Sequence, residues 1–103
     1  MLRSVGQTPV TGSGKDPRAA ALGAAVSRLR RELAGHPGRL PDRGIADDEL
    51  AVLATMAASG TPDIPRMRRS LLLIAGAIGS VSALGPALMQ VRHAVDLFGG
   101  GGR

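Results

Sequence analysis

The apolar positions between Leu71 and Phe98 keep one helical phase. Leu71, Ile74, Ile78, Val81, Leu84, Leu88, Val91, Val95 and Phe98 follow one another at spacings of three and four, the rhythm of one seam on an α-helix. From Ser70 to Val91 no side chain is charged; Arg66, Arg68 and Arg69 precede that stretch and Arg92 follows it. Gly76, Gly79, Ser80, Ala83, Ala87 and Gln90, small or weakly polar, lie opposite the seam. Pro86 lacks an N–H and would crowd the carbonyl of Ser82 inside a helix. Gly85-Pro86 alone is short for a reversal, and apolar residues resume at once at Leu88. The pattern predicts one long third helix bent at Gly85-Pro86.

Two shorter segments precede it. Asp16 is suited to an N-cap and Pro17 to the first helical position. Leu22, Val26, Leu29 and Leu33 then form a narrow seam, with Gly35 as the expected C-cap and Pro37 just beyond it. After the linker from His36 to Asp42, a second helix is expected from Ala46 or Asp47 to Ser59. Leu50, Leu53 and Ala57 make its inner stripe and Gly60 ends it. Asp47, Asp48 and Glu49 would then load its first turn, where acids complement the helix dipole. Asp63 is placed to cap the third helix, with Pro65 in its first turn. The expected fold is all-α: a small three-helix bundle over residues 16–98. A disordered tail is expected over residues 1–15 and a flexible glycine-rich tail over residues 99–103.

The uncharged stretch admits a second reading. As one helix, residues 70–91 would span roughly 33 Å, enough to cross a bilayer core. Flanking arginines and the Ala75, Gly79, Ala83 row of small residues fit a membrane span. No Trp or Tyr borders it, however, and lipid does not require a seam that continues in phase past Arg92 and Asp96. Burial by protein is the leading expectation, and a single-pass or membrane-associated protein is the alternative. The opening residues lack the apolar core of a signal peptide, so the expected location is the cytoplasm, with the membrane as the alternative.

Composition thins the expected core. Of the 103 residues, 44% are hydrophobic, but there is one Phe and no Trp or Tyr. Large side chains dominate core energetics, and short chains bury proportionately little surface; self-association is one expectation and a modestly stable monomer the other. The net charge of +5 exaggerates the basic character of the helical part, because Arg3, Lys15 and Arg103 lie outside it. Lys15 is the one lysine among the 13 basic residues, a pattern that fits GC-rich coding better than selection for phosphate binding.

Little chemistry remains. The absence of cysteine removes disulfides, thiolate metal sites and thiol nucleophiles. Thr11-Gly12-Ser13-Gly14-Lys15 lacks two features of a phosphate loop, because Pro9 and Asp16 occupy positions that need Gly and Ser or Thr. Asp47, Asp48 and Glu49 point about 100° apart on a helix and cannot converge on one ion. His36 sits in a linker, and His93 with Asp96 reads as a surface pair. No catalytic, metal or cofactor residues are expected, and the chain is not expected to be an enzyme. Nucleic acid is not expected either. A recognition helix must present polar groups to bases, and the third helix offers Leu71-Leu72-Leu73-Ile74.

Two sets of residues remain as candidates. Arg66, Arg68 and Arg69 stand at the unfavourable end of a helix dipole and should contact something anionic: Asp63, the acids of the second helix, a lipid head group or a partner. Gly76, Gly79, Ser80 and Ala83 form a small-residue face for a docked helix, either a weak homodimer or a helical partner. MLRSVGQ at the start, AVSRLRREL at 25–33, PDRGIADDEL at 41–50 and RRSLLLIAGAIGSVSAL at 68–84 resemble a family of short uncharacterised actinobacterial, especially streptomycete, proteins with a domain of unknown function. The resemblance covers nearly the whole chain. It implies a small helical protein from a GC-rich bacterium and supplies no activity or functional residue. The expected function is a non-enzymatic protein-interaction or oligomerisation module.

Overall fold

The computed structural model of the chain describes residues 16–99. The expected tails lie outside them, except that Gly99 is the last residue of a helix. The described residues form four α-helices: α1 (Pro17–Gly35), α2 (Arg43–Ser59), α3 (Ile64–Ile78) and α4 (Gly85–Gly99), with a 3-10 turn over Ser82–Leu84. There is no strand among them. The all-helical expectation is correct, but four helices replace the expected three.

Asp16 caps α1, its carboxylate accepting from the Arg18 N–H at 2.8 Å, and Pro17 opens the helix. The C-terminus differs from expectation. Gly35 is still helical and His36 is the C-cap, at φ −70° and ψ 124°. Pro37 explains this, because the residue before a proline is pushed to the extended region and needs no left-handed glycine.

α2 starts at Arg43, earlier than expected. Asp47, Asp48 and Glu49 are therefore not in its first turn, and the capping role expected for them is not the one they take. The guanidinium of Arg43 instead donates to the carbonyl of Leu33, which also accepts from the His36 N–H at the end of α1. Gly60 ends α2 at φ 69°, its N–H donating to the Met56 carbonyl. That is the left-handed glycine cap.

The long third helix does not form. α3 stops at Ile78, and Gly79 and Ser80 turn the chain. Val81 is extended, at φ −87° and ψ 100°, and the 3-10 turn leads into α4. Gly85-Pro86 is the start of α4 and not a bend within a helix. A proline there loses no hydrogen bond, because the first N–H groups of a helix have no intrahelical partner.

The helices pack as a ring: α1 against α2 and α4, and α3 against α2 and α4. Cross-contacts give the directions. Gly23 of α1 approaches Ala57 of α2, Arg28 of α1 bonds Gln90 of α4, and Arg18 stacks over Phe98, 4.8 Å from the ring centre. Glu49 of α2 meets Ser70 of α3. Each neighbouring pair is thus antiparallel, an up-down-up-down bundle with short connections.

The core is built from one stripe per helix. Leu22, Val26, Leu29 and Leu33 of α1 are buried, with Leu50 and Leu53 of α2 and Met67, Ile74 and Ile78 of α3. Val91, Val95 and Phe98 of α4 join them, and Leu84 anchors the 3-10 turn. Of the expected seam, Leu71, Val81 and Leu88 are only half-buried. Ala87, expected on the outer face, is fully buried, as is Ser70. Because the uncharged stretch is divided between α3 and α4, no helix of the described residues is long and apolar enough to cross a membrane.

Candidate interaction surface

The polar contact with the deepest burial joins α2 to α3. Ser70 is one turn after Arg66 and in phase with the core residues Met67 and Ile74, which places its hydroxyl inside. Ser70 Oγ donates to Glu49 Oε1 at 2.7 Å and accepts from Arg66 Nη1 at 3.2 Å. Arg66 Nη1 also lies 3.0 Å from Glu49 Oε1. The Ser70 hydrogen bond is the main cause that holds the Glu49 carboxyl below the usual range, with Arg66 adding to it. This triangle ties two helices and is closed to solvent on the Ser70 side.

The three candidate arginines therefore separate. Arg66 is committed to Glu49, one of the anionic contacts weighed for it. Arg68 and Arg69 are exposed and in no ion pair among the described residues. The guanidinium of Arg68 lies against Gly99, at the end of α4.

The small-residue face is also divided. Gly76 is on α3, Gly79 and Ser80 are in the turn, and Ala83 is in the 3-10 turn. All four are exposed, but no single helix presents them as one row. Gly79 has a local reason to be glycine: a Cβ there would collide with the carbonyl oxygen of Ala75.

Large apolar groups remain uncovered on the outer side of α3 and, at Leu97 of α4, beside the groove between α1 and α4. Leu72 is 73% exposed, Met89 of α4 50% and Ile45 of α2 46%. Arg68, Leu71, Leu72 and Ala75 of α3 line a groove of about 580 Å³ with Leu88, Met89, Arg92 and Asp96 of α4. Sequence reasoning missed Leu72, Met89 and Ile45. The run Leu71-Leu72-Leu73 held a signal, because steps of about 100° cannot bury three consecutive side chains. A second groove, of about 720 Å³, lies between α1 and α4 and includes Arg28, Gln90 and His93. Arg28 there is engaged within the chain, bonding Glu32 and Gln90. No group of three or more His, Asp or Glu side chains is placed to hold a metal among the described residues.

These features define a small antiparallel four-helix protein with one buried polar tie and a partly apolar outer surface on α3 and its neighbours. Residues 11–99 match the family of unknown function DUF5955, and the chain belongs to that family. No curated protein and no solved structure gives a significant match.

Proposed function

We propose that the chain is a non-enzymatic, cytoplasmic helical module that works by binding another protein surface, a copy of itself or a helical partner, in a GC-rich actinobacterial host. The observation that carries this reading is the exposure of Leu72 on an apolar groove that Arg68, Arg92 and Asp96 edge with charge. From Ser70 to Val91 every exposed side chain is neutral, and solvent-facing leucine, methionine and glycine gather where α3 meets its neighbours. Contiguous exposed apolar surface on a soluble protein marks interaction sites. The actinobacterial source rests on the sequence resemblance and on the preference for Arg, Ala and Gly.

A photo-reactive side chain placed at Leu72, in the host cell, tests the reading. Adducts heavier than the monomer should form from position 72. They should not form from position 30 of α1, which is exposed and charged. A protein that yields no adduct from position 72 is not an interaction module through this surface.

A further inference from the structure

We infer that the groove between α1 and α4 is a second docking surface, and that its occupant is an acidic amphipathic helix of another protein; this surface is separate from the one at Leu72. The groove measures about 720 Å³, and its floor is alanine: Ala21, Ala24 and Ala25 of α1 and Ala94 of α4. The two helices run antiparallel, with Arg18 over Phe98 and Arg28 bonded to Gln90. One end of the groove is therefore apolar, where Leu97, 50% exposed, falls beside Ala21. The other end is polar, where Arg28, Arg31 and Gln90 meet. Every ionisable group that lines the groove is basic: Arg28, Arg31 and His93. Glu32 pairs with Arg28 at 2.8 Å and offsets that charge. Arg31 is exposed and in no ion pair among the described residues. The one acid of α4, Asp96, lines the other groove, with Arg68 and Arg92.

Charge and shape together select the occupant. The stretch of α1 from Ala21 to Arg31 is about 15 Å long, enough for about three turns of a helix laid along it. Small side chains on both walls let the backbone of a third helix come close, with its own side chains seated between the ridges. Leu97 offers an apolar contact that neither α1 nor α4 covers. A helix with apolar residues at i, i+3, i+4 and i+7 fills the floor and covers Leu97. Carboxylates on its border then give Arg31 the counter-charge it lacks, while a basic helix meets only like charge. A flat anionic membrane does not reach the floor, because Ala25 and Ala94 are buried between the two helices. Arg30 shares a phase with Gly23, which meets α2, so it faces away from this groove and remains a control for the Leu72 surface.

Titration of the full chain with two synthetic amphipathic peptides tests this. Both carry leucine along one helical face; one has glutamate on its borders and the other lysine at the same positions. The glutamate peptide should bind with a Kd of about 10–100 µM, and the lysine peptide at least about tenfold more weakly. Arg31→Glu should weaken the glutamate peptide about tenfold and favour the lysine peptide. Leu97→Asp should also weaken it, and neither variant should change the thermal melt, because both side chains are exposed. Leu72→Glu should leave the binding as it is, which separates the two surfaces. No binding of the glutamate peptide at about 1 mM, equal binding of both peptides, or binding that survives both Arg31→Glu and Leu97→Asp overturns the inference. Binding to phosphatidylglycerol vesicles without binding to the peptide, or self-association that Leu97→Asp abolishes without it, assigns the groove to another occupant and also overturns it.

Discussion

Replacing Ser70 by Ala probes the tie between α2 and α3. The hydroxyl is fully buried, donates to Glu49 at 2.7 Å and accepts from Arg66 at 3.2 Å. A hydrogen bond to a charged group contributes about 1.5–3 kcal/mol. Two terms reduce the loss. Arg66 remains 3.0 Å from Glu49, so the carboxylate keeps a partner, and alanine is the better helix former by about 0.5 kcal/mol. The expected net loss is about 1–2 kcal/mol at pH 7, read from the urea midpoint at constant slope. One kcal/mol in a domain of this size lowers Tm by about 4–8 °C.

The same variant has a pH signature. The folded protein holds the Glu49 carboxyl below its usual value, chiefly through Ser70. A group whose pKa is depressed on folding contributes stability above its unfolded value, about 4.3. That contribution fades as pH falls through the folded value. The gap between wild type and Ser70→Ala should therefore be constant from pH 7 to about 5 and narrow below about 4. A gap that stays the same at about pH 3, or one under about 0.3 kcal/mol at pH 7, would refute the claim that Ser70 serves the Glu49 charge.

Three further outcomes are expected. Ile78→Ala removes a fully buried side chain at the end of α3 and should cost about 2–5 kcal/mol in a reversible urea melt, against a negligible loss if that end of the bundle is open. Gly60→Ala puts a Cβ on a residue at φ 69° and should cost roughly 1 kcal/mol by the same assay. Gly79→Leu should destabilise the monomer, because any Cβ at that position meets the Ala75 carbonyl. A Gly79→Leu variant with an unchanged melting temperature would show that the end of α3 yields freely.

What was legible in the sequence follows the reach of each signal. Caps act within one turn, so Asp16, Asp63 and Gly60 could be read directly from residue type and spacing. The α1 stripe was legible for the same reason: Leu22, Val26, Leu29 and Leu33 have no competing apolar face. The start of α2 was not. Asp47-Asp48-Glu49 is a plausible first turn, but the helix opens at Arg43, and the acceptor its guanidinium finds, the Leu33 carbonyl, is on another helix. Glu49 and Ser70 are 21 positions apart, and neither residue alone announces the other. The candidate surface was legible in part. The uncharged stretch marked the region, but the helical wheel placed Gly79, Ser80 and Ala83 on a helix that ends before them. Of the apolar groups that are exposed there, Leu72 was read only as part of an apolar run in the third helix, and Met89 was not singled out.

The error over the third helix shows what periodicity leaves undecided. The seam from Leu71 to Phe98 keeps its phase across the break because Val81 and Leu84 stay anchored at the core in the turn, so the pattern reads as unbroken. Neighbour length decides between the two folds. α3, at 15 residues, already runs beside most of α2, at 17. A straight continuation would carry Val91, Val95 and Phe98 past the end of α1 and α2, with nothing to cover them. Folding back buries those three at about 1.5–3 kcal/mol each. It also moves Pro86 from a helix interior, where it costs about 3 kcal/mol, to a helix start where it costs little. Against this stand the few hydrogen bonds lost between Gly79 and Leu84, each about 0.5–1.5 kcal/mol net, some of which are recovered: Val81 N donates to the Ile78 carbonyl and Leu84 N to that of Val81, both at 3.0 Å. The balance favours reversal. Gly79-Ser80, read as part of a docking face, is the turn that permits it. The same turn leaves the outer side of α3 without a fifth helix to cover it, which is why Leu72 faces solvent in the monomer.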